Sequence, residues 1–323
     1  MKYLTRLLLA GAAALMAMAP AQAQTDWPNR AVTFLEPYGP GTTLDAITRF
    51  LSERLSTQWK VPIVVDNKPG ANGVIGTDFV ARAPGDGYTI LFTGPGHYSN
   101  EVLMGKVPYD VMRDFKPVAR LASVMLVLVV PTSSPFQSVK DLVDYAKKNP
   151  GKLTYATGGS GSSQHLSAAS FAQMAGIDML HVPYKTQSAA VTDIISGQVN
   201  WGFAALTTAA AQLKGGKLRA LAVTGPRRSQ ALPDLPTVAE QGYPGYEYFS
   251  FNAVYVPAST PDDIVRKISD GLAQHMRSPA LAELARQQGF ENDFADAQAW
   301  TASQPAERKK WQELIRVSGA KLE

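Results

Sequence analysis

The sequence predicts an α/β protein built from two similar domains. Strand and helix patterns alternate along nearly the whole chain, which is typical of mostly parallel sheets covered by helices. The length of 323 residues also exceeds what a single hydrophobic core usually serves. A unit of strand, glycine-rich loop and hydroxyl-capped helix occurs at 31–55 and again at 153–174. We therefore expect one such loop in each of two lobes.

The strands are predicted from short apolar runs bounded by glycine and proline. The run 126–130 is continuously apolar, as expected for a strand that is covered on both faces. In chain order the predicted strands are 31–37, 63–65, 89–92, 126–130, 153–156, 179–182, 201–204, 218–224 and 253–256.

The helices are predicted from apolar periodicity and from their capping residues. The first helix follows the loop at 38–41 and carries an apolar stripe of Leu44, Ile47, Leu51 and Leu55. Further helices are predicted at 138–146 behind a Ser138 cap, at 164–174, at 188–196 before Gly197, and at 206–213 before a Gly-Gly pair. Thr260 and Pro261 predict one more start, with the proline at the first helical position. The segment 280–317 is predicted to be mostly helical.

The N-terminus has the layout of a secretory signal peptide. Lys2 and Arg6 precede an apolar run over 7–20, which ends in the small-x-small sequence of Ala21, Gln22 and Ala23. The apolar run is shorter than the roughly 18–20 residues that span a bilayer. We predict that 1–23 is removed, and that the mature protein is exported to the periplasm and soluble there.

Composition excludes several kinds of site. The chain has no cysteine, so disulfides, thiolate metal sites and cysteine nucleophiles are excluded. Its 4 histidines are too few to favour a multi-histidine metal site, and we expect no metal and no cofactor. Loss of Lys2 and Arg6 lowers the formal charge of +4 by two, and the remaining charge is evenly spread. This does not indicate a nucleic-acid partner.

The two glycine-rich loops carry the strongest functional signal. Loop one is P-Y-G-P-G-T-T-L-D at 37–45, and loop two is G-G-S-G-S-S-Q-H at 158–165. Each lies between a strand and a helix N-terminus, where unpaired N–H groups and the positive end of the helix dipole attract a carboxylate or phosphate. Two such loops facing each other would hold a ligand with an anionic group at each end.

Enzyme motifs are incomplete. Loop two resembles a nucleophile elbow around Ser160, but the final glycine of G-x-S-x-G is missing and His165 follows too closely to be the base. The loop also matches neither the P-loop nor the dinucleotide fingerprint. A secreted serine hydrolase using Ser160 therefore stays only as an alternative, and we expect no catalysis.

The chain resembles the Bug-type extracytoplasmic solute receptors, the substrate-binding proteins of tripartite tricarboxylate transporters. The resemblance rests on both loops together with D-N-K-P-G-A-N-G at 66–73, A-P-G-D-G-Y-T at 83–89, H-V-P-Y-K at 181–185 and L-P-T-V-A-E at 235–240. It covers nearly all of the mature chain. It implies a type II periplasmic-binding-protein fold, a Venus flytrap whose two α/β lobes enclose a ligand cleft. We expect lobe one to comprise 24–123 and 251–323, and lobe two to comprise 124–250.

The resemblance also implies the ligand-binding residues. They are Tyr38, Pro40, Gly41, Thr42, Thr43, Asp45, Gly94 and His97 in lobe one, and Gly159, Ser160, Gly161, Ser162, Ser163, His165, Lys185, Thr186, Phe203 and Ala204 in lobe two.

Three departures from the family pattern bear on the ligand. Thr42 and Thr186 stand where relatives have glycine, and each adds a hydroxyl. Ala204 stands where relatives have an aspartate, so we expect Phe203 and Ala204 to form an apolar wall. The alternative is that this position has changed by drift because the wall touches no ligand. We therefore predict a dicarboxylate without an amine, aromatic or otherwise flat.

The function implied is that of a monomeric receptor that delivers a small carboxylate to the membrane subunits of such a transporter. A sensor that presents its closed form to a signalling partner is the alternative with the same fold and site.

Overall fold

The computed structural model describes residues 27–319, so the predicted signal peptide lies outside the described residues. The strands are β1 Val32–Glu36, β2 Ile63–Asn67, β3 Thr89–Thr93, β4 Phe115–Pro131, β5 Thr154–Thr157, β6 Leu180–Pro183, β7 Trp201–Ala205, β8 Leu218–Val223, β9 Phe249–Pro257 and β10 Glu291–Ala295. The helices are α1 Thr43–Trp59, α2 Val74–Ala81, α3 Gly96–Leu103, α4 Val139–Lys148, α5 Ser163–Ala175, α6 Gln187–Ser196, α7 Leu206–Lys214, α8 Asp262–Met276, α9 Pro279–Gln288 and α10 Ala297–Ser318, with a 3₁₀ turn at Ala71–Gly73.

Two groups of parallel strands are joined by an antiparallel centre. The strand order is β2-β1-β3-β9-β4-β7-β5-β6, and β8 and β10 also pair with β4. β1 pairs in parallel with β2 and β3, and β5 pairs in parallel with β6 and β7. The long strand β4 runs antiparallel to β9 in its first part and to β7 and β8 in its last part. The predicted α/β class is confirmed. The predicted mostly parallel pairing holds only for the two outer groups, because five of the nine pairings between the described strands are antiparallel.

The change of partner along β4 lies close to the predicted lobe boundary between 123 and 124. Phe115 to Met125 pair with β9, and Leu126 onwards pairs with β7 and β8. The C-terminal helix α10 packs against both α3 and α5, which belong to opposite groups. The predicted lobe boundaries are compatible with this pairing and remain a prediction.

The first helix forms as its periodicity predicts. Leu44, Ile47, Leu51 and Leu55 are all buried and pack with the strand residues Phe34 and Phe92, whose rings lie 4.6 Å apart. β1 ends at Glu36 and the helix begins at Thr43, so the N-terminus of the helix lies within loop one. The Ser138 cap of α4 is also confirmed, because Ser138 and Asp141 form a reciprocal capping box.

Two elements differ from the predictions. The segment 280–317 contains the strand β10, which pairs antiparallel with β4. This strand begins with three polar residues, so it shows no apolar run that would have predicted it. Its first residue, Glu291, is buried and accepts hydrogen bonds from the Ser229 hydroxyl and the Gln230 N–H. The helix α8 begins at Asp262, so Pro261 occupies the cap position instead of the first helical position.

Candidate ligand-binding cleft

A cavity of about 760 Å³ lies where the two parallel strand groups meet. Its lining combines loop one and the start of α1, loop two and the start of α5, the starts of α3 and α7, and a floor from β4 and β9. The lining residues are Tyr38, Gly41, Thr42, Thr43, Leu44, Asn72, Gly94, Pro95, Gly96, Ser99, Val124, Leu126, Gly158, Gly161, Ser162, Ser163, Gln164, Leu166, Lys185, Ala205, Thr207, Thr208, Ser250, Asn252 and Trp311.

Loop one is held in shape by its own side chains. The Thr42 hydroxyl accepts from the Asp45 N–H at 3.1 Å and caps α1. The Asp45 carboxylate turns back and accepts from the Gly41 N–H at 3.1 Å and from Arg49 Nε at 3.0 Å. Burial acts to raise the pKa of Asp45, but the hydrogen bonds from Arg49 and Gly41 outweigh it and leave the pKa below its ordinary value. Asp45 therefore stays charged and fixes the loop.

Loop two repeats this arrangement with a histidine in place of the aspartate. The Ser162 hydroxyl accepts from the His165 N–H at 3.3 Å and caps α5. The Gly161 N–H donates to His165 Nδ1 at 3.1 Å, which requires that this ring nitrogen carry no proton. Each loop thus uses a residue of the first helical turn to hold a glycine N–H.

His165 is kept neutral by its surroundings. Its ring stacks on that of His181 with centroids 4.0 Å apart, and His181 Nε2 lies 2.7 Å from the Thr157 hydroxyl. Burial, followed by the charge of His181, lowers the pKa of His165 to about 4. Loop two is therefore supported by an uncharged acceptor at neutral pH.

The floor of the cavity comes from the two central strands. Val124 and Leu126 lie on β4, and Ser250 and Asn252 lie on β9. The register places Val124 opposite Ser250 and Ala122 opposite Asn252. Both polar floor residues therefore project from alternate positions of one strand, where side chains share a face.

The electrostatics of the lining favour an anion. Lys185 is the one charged side chain among the described lining residues, and none of the described lining residues is acidic. Helices α1 and α5 begin at the cavity with Thr43 and Ser163, whose first-turn N–H groups have no acceptor within a helix. The start of α7 also lines the cavity and has no side-chain cap. Several helix N-termini thus contribute partial positive charge to one cavity.

Comparison with known proteins assigns the family. A sequence model described as "Tripartite tricarboxylate transporter family receptor" matches residues 47–320. The chain belongs to this receptor family.

The similar proteins cover this receptor almost completely. A UPF0065 protein from the tcbD-tcbE intergenic region of Pseudomonas sp. strain P51 is 36% identical over 96% of this chain and 93% of its own. The solved structure of R. palustris Rpa4515 with adipate is 35% identical with a TM-score of 0.81, covering 92% of this chain and 100% of the other. The periplasmic binding protein BugD is 32% identical with a TM-score of 0.76, covering 91% and 99%.

These comparisons confirm the resemblance and the type II periplasmic-binding-protein fold. The family consists of substrate-binding receptors rather than enzymes, and its solved members are periplasmic binding proteins. Within 27–319, no helix is both long and apolar enough to cross a membrane. In the same range no group of three or more metal-binding side chains comes together.

Half of the predicted site residues of this receptor line the cavity. They are Tyr38, Gly41, Thr42, Thr43, Gly94, Gly161, Ser162, Ser163 and Lys185. Most of them are loop residues at the start of α1 or α5, where the prediction rested on helix N-terminus chemistry. Their contact with a ligand remains a prediction.

Other predicted residues do not line the cavity, and several of them stabilise the loops from behind. Asp45 and His165 hold glycine N–H groups, as described above. Thr186 caps α6 by accepting from the Ala189 N–H at 3.2 Å. Gly159 exchanges hydrogen bonds with Thr157 inside loop two. Pro40 and Ser160 are exposed and absent from the lining.

Three predicted residues lie in the core, and their placement corrects the prediction. His97 is 1% exposed and packs against the rings of Tyr98, Phe115 and Tyr255, with neither ring nitrogen hydrogen-bonded. Burial lowers its pKa to about 3. Phe203 and Ala204 point to opposite faces of β7, each covered by a core cluster. No apolar cavity wall is formed by residues 203 and 204.

The hydrolase alternative finds no catalytic geometry at Ser160. Ser160 is exposed, and the His165 Nδ1 that would act as its base already accepts from the Gly161 N–H. A nucleophilic serine needs a base within hydrogen-bond reach. Among the described residues, no side chain is hydrogen-bonded to the Ser160 hydroxyl as such a base would be.

Sequence reasoning missed the floor and the starts of α3 and α7. Asn72, Ser99, Thr207, Thr208, Ser250 and Asn252 are polar lining residues that were not predicted. The only local signal was the predicted lobe boundary between 250 and 251, which lies on β9 between the last two of these residues.

Proposed function

We propose that this receptor captures a small dicarboxylate in the periplasm and delivers it to the membrane subunits of a tripartite tricarboxylate transporter. The observation that carries the proposal is the cavity between two capped helix N-termini, with a lysine and no acidic side chain among its described lining residues. Each helix start offers N–H donors and partial positive charge for one carboxylate. The relative Rpa4515, solved with adipate, supports a dicarboxylate.

The absence of an acidic group from the described lining argues against a ligand that carries an amine. A buried ammonium without a negative partner costs several kcal/mol. The sequence argument placed this selectivity at Ala204, which is fully buried in the core. The expected selectivity against an amine now rests on the absence of acidic side chains from the described lining residues.

The lining of the cavity is partly apolar. Val124 and Leu126 on the floor and the rings of Tyr38 and Trp311 contribute apolar atoms to it. Each CH₂ buried there contributes about 0.8 kcal/mol. The proposal therefore includes aliphatic and flat aromatic dicarboxylates.

The test is a binding screen of the mature protein. The panel contains aliphatic and aromatic dicarboxylates, monocarboxylates, tricarboxylates, aspartate and glutamate, measured by thermal shift and then by calorimetry. A ligand at about 100-fold its dissociation constant adds about 2.7 kcal/mol of apparent stability. We expect dicarboxylates to give the largest shifts. Tighter binding of aspartate or glutamate than of every plain dicarboxylate would contradict the argument from the lining.

A further inference from the structure

A buried amide on the cavity floor has no partner in the protein. Asn252 is 6% exposed, and its Nδ2 is shielded from solvent without a hydrogen-bond acceptor. The same residue lines the cavity. The other lining amide on this side, Asn72, is instead satisfied, because its Nδ2 donates to Asn100 Oδ1 at 2.7 Å.

The position of Asn252 in the sheet is central. Loop one follows β1 and loop two follows β5, and β9 lies between these strands in the order β1-β3-β9-β4-β7-β5. The β3 ladder ends where Thr93 pairs with Ala253, so Asn252 is the first residue of β9 beyond it. The chain after β3 then passes close to β9, since a Cβ on Gly94 would lie 3.2 Å from the Phe251 carbonyl oxygen. Asn252 therefore faces the cavity between the two loops, and not at either end.

A buried donor without an acceptor destabilises a protein by the full desolvation of that group, and a ligand oxygen would remove this cost. A methylene group at the same position would leave Nδ2 unpaired, and so would an ammonium, which has donors but no acceptor. A hydroxyl or keto oxygen fits, because an amide side chain offers a donor and an acceptor to a hydroxyl and a donor to a ketone.

We propose that Asn252 is a specificity residue that binds an oxygen atom carried between the two carboxylates of the ligand. The receptor then prefers a hydroxy- or oxo-dicarboxylate over the unsubstituted dicarboxylate of the same length. This inference rests on the proposed function, since it assigns the middle of a ligand whose ends lie at the two loops.

The experiment compares matched probes in the unaltered mature protein by calorimetry. The pairs are malate with succinate, and 2-oxoglutarate with glutarate. In at least one pair we expect the oxygenated member to bind roughly five- to tenfold more tightly, the range of one net hydrogen bond. Equal or weaker binding of the oxygenated member in both pairs would overturn the inference and leave the dicarboxylate receptor intact. If no probe and no other dicarboxylate binds, the proposed function itself fails.

Two variants locate the effect, with a third as control. Asn252→Leu should abolish the preference by weakening only the oxygenated member. Asn252→Asp keeps the shape but adds a negative charge, and should weaken all four dianions by at least about tenfold. Ser160→Ala, an exposed change outside the cavity lining, is the control and should keep the preference. A preference that survives Asn252→Leu would overturn the assignment to Asn252.

Discussion

Replacing Glu36 by glutamine should remove a loss of stability that the parent protein shows as the pH rises from 5 to 8. Glu36 is the last residue of β1, directly before loop one, and its side chain is fully buried. Its Oε1 has no hydrogen-bond partner, and Asn67 Nδ2 approaches Oε2 at a long 3.4 Å. The Thr48 side chain and the charge of Arg49 favour the ionised form, but burial outweighs both. Burial raises the pKa of Glu36 to about 7, and the nearby charge of Asp45 acts in the same direction.

The sign and size of the effect follow from this pKa. An unfolded glutamate titrates at 4.5, so between pH 4.5 and about 7 the folded protein holds a proton that the unfolded chain has released. Stability from this group is therefore complete below pH 4.5 and is lost as the pH rises to about 7. At about 1.36 kcal/mol per unit, the loss between pH 5 and 8 is roughly 2–3 kcal/mol. Glutamine stays neutral and loses none of it.

The assay is denaturant unfolding of the ligand-free protein, followed by tryptophan fluorescence at several pH values from 5 to 8. The quantity of interest is the unfolding free energy of Glu36→Gln minus that of the parent, in which other titrating groups cancel. We expect it to increase by roughly 2–3 kcal/mol across this range. Glu53→Gln, an exposed change on α1, is the matched control and should show no such increase. A constant difference for Glu36→Gln would refute the reasoning.

Four further predictions concern the cleft. Ser163→Ala should weaken dicarboxylate binding by about 1–2 kcal/mol in calorimetry, whereas Ser160→Ala, outside the lining, should not; equal effects would remove this distinction. Lys185→Met should weaken binding and flatten its dependence on salt between low and physiological ionic strength, and an unchanged salt dependence would count against a role for this charge. Because the pKa of His165 is lowered to about 4, parent stability should decrease as the pH falls from 6.5 towards 4, and His165→Gln should reduce that slope in denaturant unfolding. A ligand that bridges both loops favours the closed state, so small-angle scattering of a protein that starts open should show a smaller radius of gyration at saturation; an unchanged radius would contradict lobe closure.

Local sequence was sufficient for most elements and for the family. The apolar stripe from Leu44 to Leu55, the Ser138 capping box and the glycine-rich loops depend on residues within a few positions of each other, so their patterns are legible in the chain itself. The motifs around the two loops also predicted the receptor family that the comparisons then showed. The prediction that the starts of α1 and α5 bind an anion came from the same short segments.

Tertiary structure alone decided which of these residues reach the cavity. His97 is removed from it by Phe115 and Tyr255, which come from distant strands and bury its ring. Phe203 and Ala204 are adjacent on a strand that is covered on both faces, so both side chains are buried in the core. The sequence alone could not show that neither of them would line the cavity. Asn252 faces the cavity only because β9 is paired beside β4 between the two loops. Burial and orientation are set by contacts between residues far apart in sequence, and no local pattern records them.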